Sequence, residues 1–72
     1  MTAKERVELE LKELKEKFNK LANFIGTEKY YRLEEPQNKW LHIQKMHMEG
    51  YINALEARLE LWEEVKWKNY YY

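Results

Sequence analysis

Cysteine and serine are both missing from this 72-residue chain, and glycine and proline are scarce, at two and one. Without cysteine there is no disulfide and no thiolate zinc site, and the lack fits a reducing interior. Without serine there is no serine nucleophile. Gly26 and Gly50 stand alone, so they build no glycine-rich loop of the kind that cradles phosphate. No N-terminal apolar run resembles a signal peptide, and no apolar run is long enough to span a bilayer. Both observations argue against secretion and membrane insertion. Net charge is missing too: thirteen basic and thirteen acidic side chains cancel. That balance argues against long DNA or RNA as the main partner, because such binding draws on phosphate neutralisation by a basic stripe.

The length allows one domain, residues 1–72, and a chain this short buries too little surface to be more than marginal alone. With disulfides and thiolate metal sites excluded, partner subunits are the remaining support. What the chain does have is charge at helical spacing and an unusual share of aromatics, six Tyr and three Trp among them. Glu8–Lys12, Glu13–Lys17, Glu16–Lys20, Glu28–Arg32, Glu35–Lys39 and Glu64–Lys68 all place an acid four residues before a base. Each pair adds only about a few tenths of a kcal/mol, but the shared orientation marks solvated helix surface.

Val7, Leu11, Leu14, Phe18, Leu21 and Ile25 follow alternating spacings of four and three, a single heptad seam. Thr2 with Glu5 reads as a capping box, and Gly26 sits where a left-handed C-cap belongs. The first helix is expected over about 3–25. Thr27–Leu33 reads as a capped turn inside a connector, 26–35, with Tyr30 or Tyr31 tucked under the hairpin. Pro36 suits the first turn of a second helix, expected over about 36–68 and followed by an aromatic tail, 69–72. One seam of that helix is Leu41, Met48, Ile52, Leu55, Leu59 and Trp62. A flanking stripe holds Trp40, Ile43, His47, Tyr51, Ala54, Leu61 and Val65, so the apolar face is wider than one partner helix needs. The expected fold is all-α: an antiparallel two-helix hairpin with a short helical connector, assembled into a homo-oligomeric bundle.

The residues offer no catalytic constellation. His42 and His47 are five apart, on different helix faces and without a third ligand, so no metal site is expected, and His47 suits an interface. The chain reads as a binder with no cofactor, not an enzyme. What remains is cationic and aromatic side chains sharing faces. Tyr51 and Arg58 are a heptad apart, with Gln44 and Lys45 earlier on the same helix. Arg58 either snorkels along the seam to a glutamate of the first helix or forks onto a phosphate while Tyr51 stacks on a base. The connector repeats the mixture in Lys29, Tyr30 and Arg32. The C-terminal Lys66, Trp67 and Lys68 with three tyrosines suit either ligand stacking or clasping of a neighbouring subunit.

The connector Phe24–Ile25–Gly26–Thr27–Glu28–Lys29–Tyr30 and the series Gln44, Met48, Tyr51, Leu55, Arg58 and Leu59 carry a resemblance over about residues 3 to 62. The chain resembles a family of small phage-encoded helical-hairpin proteins, similar to the anti-CBASS and anti-Thoeris nucleotide-signal sponges. That resemblance implies an oligomer that sequesters a cyclic oligonucleotide or an ADP-ribose-type immune signal, without turnover, in a pocket at a subunit interface. It implies Tyr51, Arg58, Gln44, Lys45, His47, Lys29, Tyr30 and Arg32 as ligand-binding residues, and the cytoplasm of an infected bacterium as the setting. The other reading is a homo-oligomeric phage adaptor that binds a protein through its apolar stripe and takes no small-molecule ligand.

Overall fold

The computed structural model describes residues 1–62, and every regular element among them is helical: α1 (Ala3–Phe24), α2 (Glu28–Tyr31) and α3 (Gln37–Glu60). The start of α1 is locked by its own sequence. The Thr2 side chain accepts a hydrogen bond from the Glu5 N–H at 3.1 Å, and the Thr2 N–H donates to the Glu5 carboxylate at 2.9 Å. Two of the four donors that a helix start leaves without intrahelical partners are thereby satisfied. Hydrogen bonds to the Glu5 carboxylate, from the Thr2 backbone first and the Thr2 side chain second, hold it below its usual pKa. At the other end Ile25 closes the helix with an N–H bond to the Leu21 carbonyl, and Gly26 turns the chain at φ 98°. Only glycine adopts that left-handed conformation without steric cost.

The tip is built from short-range bonds. Thr27 caps α2 by accepting from the Tyr30 N–H at 3.2 Å, while its hydroxyl donates to the Phe24 carbonyl at 2.7 Å. The Tyr30 ring meets Phe24 edge to face at 6.2 Å, and its hydroxyl donates to the Asn38 carbonyl at 3.0 Å. One half-buried tyrosine thus ties the end of α1 to the start of α3. Pro36 lies one position earlier than the sequence suggests: it is the residue preceding α3, not part of its first turn. Its carbonyl accepts the Trp40 N–H at 3.0 Å, which fixes Gln37 as the first helical residue. The peptide bond before Pro36 is cis. Proline has no side-chain acceptor, so α3 starts without a side-chain cap.

The two long helices run antiparallel. Glu10 meets Tyr51, Phe18 meets Lys45, and Val7 lies across from Arg58, so position falls along one helix as it rises along the other. Val7, Ile52 and Leu55 are the buried core, at 7, 8 and 1% exposure, and the rest of both seams is half-buried. Among the described residues of the flanking stripe of α3 only Ile43 is half-buried. Trp40, Tyr51 and Leu61 are 61, 47 and 43% exposed, and Met46, outside the stripe, is 59% exposed. Gly50 sits mid-helix with open space around the position of its missing Cβ, although glycine there costs about 1 kcal/mol relative to alanine. Helix α3 ends at Glu60, where the Leu61 and Trp62 N–H groups bond to the Ala57 and Leu59 carbonyls in a turn. The expected continuation to residue 68, the tail at 69–72 and Val65 lie outside the described residues.

Candidate functional site

Where the start of α1 crosses the end of α3, the hairpin opens into a cleft of about 220 Å³. Val7 forms its floor, and Ala3, Arg6, Glu10, Arg58 and Trp62 form its walls. The first turns of α1 present Arg6 and Glu10 on one side because they flank Val7 by one and three positions. The last turns of α3 present Arg58 and Trp62 four apart, on one face. Arg6 is exposed and makes no ion pair among the described residues. Arg58 is half-buried and is already engaged. Beside the cleft the Tyr51 hydroxyl donates to the Glu10 carboxylate, a bond between residues far apart in the chain. Two guanidinium groups, one carboxylate and an indole therefore share a partly enclosed space in a chain of zero net charge. Such a set can fork onto an anionic oxygen and stack on a flat ring.

The residues singled out from the sequence fall in separate places. Arg58 lines the cleft, and Tyr51 borders it through Glu10. Gln44 and His47 are exposed nearer the start of α3. Lys45 turns the other way, with its ammonium 5.7 Å above the centre of the Phe18 ring. Lys29, Tyr30 and Arg32 are at the tip, at the far end of the hairpin from the cleft. There Tyr30 is spent on packing, and Arg32 pairs with Glu28 one turn back. A shallow depression near the tip is lined by Tyr30, Tyr31, Glu35, Lys39 and His42 among others, and is open to solvent.

Sequence reasoning missed Arg6 and Glu10, and it read Trp62 only as a seam residue. Arg6 and Glu10 sit off the heptad seam in a helix crowded with charge, so spacing alone does not separate them from solvated surface. Aligning the start of α1 against the end of α3, as an antiparallel hairpin requires, is the signal that brings them to Arg58. Among the described residues no group of three or more His, Cys, Asp or Glu is placed to hold a metal ion. No helix among them is long and apolar enough to cross a membrane.

No match is found among curated proteins or among solved structures. A family model described as Sequestin matches residues 1–61, which takes in all three helices and the cleft except Trp62. The name agrees with the sequestering character of the sponge group that the connector and the α3 series resemble. The chain belongs to the Sequestin family.

Proposed function

We propose that this protein is a phage anti-defence sponge that binds a nucleotide immune signal, cyclic oligonucleotide or ADP-ribose-type, and withholds it without chemical change. The observation that carries the reading is the open-end cleft, where Arg6, Arg58 and Trp62 converge in a member of a family named for sequestration. The guanidinium groups supply bidentate donors for phosphate oxygens. Trp62 in the cleft, and Tyr51 at its border through Glu10, supply faces for a base, at about 1–3 kcal/mol per stacked base. Nanomolar capture requires about 12 kcal/mol, so several such contacts must act together. Pockets that enclose small ligands measure about 300–1,000 Å³, and the cleft of one copy is smaller, about 220 Å³. One hairpin therefore supplies part of a binding site, in keeping with a pocket between subunits of a homo-oligomer.

The test is isothermal titration of the purified protein with a panel of cyclic oligonucleotides and cyclic ADP-ribose isomers. One ligand is expected to bind stoichiometrically and to be recovered intact after the complex is heated. Replacing Arg58 with alanine is expected to weaken that binding at least tenfold while leaving the helical circular dichroism signal in place. A panel with no binder, or a ligand recovered as a cleaved product, would overturn the reading. The first outcome would favour the protein adaptor, for which the exposed Trp40, Met46 and Leu61 are the supporting feature.

A further inference from the structure

Helix α3 carries a second heptad seam on the side turned away from its core seam. Ile43, His47, Gly50, Ala54, Ala57 and Leu61 follow spacings of four, three, four, three and four. All are exposed except Ile43, which is half-buried. We infer that this seam pairs with the same seam of a second copy, antiparallel, about a two-fold axis level with Ile52. The occupant follows from the order of residue sizes. A two-fold contact makes each residue face the position equally far on the other side of the axis. Gly50 then faces the partner subunit's Ala54, His47 faces the partner subunit's Ala57, and Ile43 faces the partner subunit's Leu61.

The smallest side chains meet at the centre, where the helices come closest, and the largest close the two ends. This register gives the mid-helix glycine a role that the single hairpin does not: the open space at its missing Cβ is filled by the opposing helix. A parallel pairing would place histidine on histidine and glycine on glycine, leaving a gap beside a bulky, polar layer.

The pairing also completes the site, a consequence that rests on the sponge reading. In an antiparallel pair each flank of the seam meets the same flank of the other copy. Gln44, Tyr51 and Arg58 form one such flank, seven residues apart. Arg58 thereby comes within about 3 Å, along the helix axis, of the level of the partner subunit's Gln44, and the two copies of Tyr51 approach each other beside the axis. Arg58 and Tyr51 are the residues at the open-end cleft, so each cleft gains a wall from the other chain.

Disulfide trapping tests the pairing without any ligand, and the chain has no cysteine to interfere. Positions 47 and 57 are about 15 Å apart along one helix, too far for a bond within a chain. The double variant His47→Cys/Ala57→Cys is expected to form a covalent dimer nearly completely in a glutathione buffer. Each single variant is expected to cross-link no more than Glu13→Cys, which sits on the exposed side of α1. Singles that cross-link as well as the double variant, or a double variant that stays at the Glu13→Cys level, would overturn the proposal. Sedimentation of Ala54→Arg gives a second readout: a folded monomer is expected where the native chain is dimeric or larger, and an unchanged assembly would overturn the central contact. Trapped dimers that bind no nucleotide would count against the sponge reading and leave the pairing standing.

Discussion

The two long helices solve opposite problems. Helix α1 has one apolar seam and a locked start, with mostly charged and polar residues, and Leu9, over the rest of its surface. Helix α3 has no side-chain cap, a glycine near its middle, and apolar residues on two sides. A helix with one stripe is satisfied by one neighbour; a helix apolar on two sides needs two. Inside the hairpin α1 is therefore complete, and α3 is not. Most stability of helices in proteins comes from packing of the apolar face rather than from propensity. The stronger local signals lie on the helix that needs only its hairpin partner.

The sharpest way to break that contrast is through the inner seam. Leu55 is 1% exposed and is the most completely buried side chain of the described residues. Leu55→Ala is expected to cost about 2–5 kcal/mol, enough to unfold a domain this small, as a loss of the cooperative thermal transition in circular dichroism. A subtler probe is Gly50→Ala. It is expected to raise the helical stability of the isolated hairpin by about 1 kcal/mol, because nothing lies within 4 Å of the new methyl group. If the outer seam is in use, the same change weakens self-association, so the melting temperature rises in dilute solution and rises less at high concentration.

The smallest effect concerns the start of α1. The Glu5 carboxyl has a lowered pKa in the fold because it accepts hydrogen bonds from Thr2. A carboxylate depressed in this way stabilises the fold above its unfolded pKa, and the contribution disappears as pH falls through the folded value. The difference in melting temperature between the native chain and Glu5→Ala is therefore expected to be full at pH 7. It should shrink once the pH drops below the ordinary value of 4.5. A pH-independent difference would mean that the capping carboxylate is not the source.

Much of the hairpin was legible because it is written in local spacing. The Thr2–Glu5 box, the left-handed Gly26 and the core seam each depend on residues a few positions apart. The start of α3 was misplaced by one residue, since the sequence shows that proline tolerates an early helical position but not which carbonyl opens the helix. The candidate site was legible only in part. Arg58 stands out as a cation one heptad from Tyr51, whereas Arg6 looks like any charge on a solvated face. Lys45 was grouped with Tyr51 by nearness in sequence, yet the helical turn sends it across to Phe18. Contacts such as Tyr51 to Glu10 depend on how two helices are aligned, and spacing within one helix carries no record of that.

The bonds at the tip, from Thr27 to Phe24 and from Tyr30 to Asn38, have a consequence in time as well as in space. They close short loops, whereas the cleft joins the beginning of α1 to the end of α3, and loop-closure entropy grows with the length of chain enclosed. The hairpin therefore zips from its tip, in the rapid regime of locally connected helical proteins. The contacts around the cleft therefore carry the largest loop-closure cost in the hairpin, and the three most buried side chains, Val7, Ile52 and Leu55, lie toward that end and offset it.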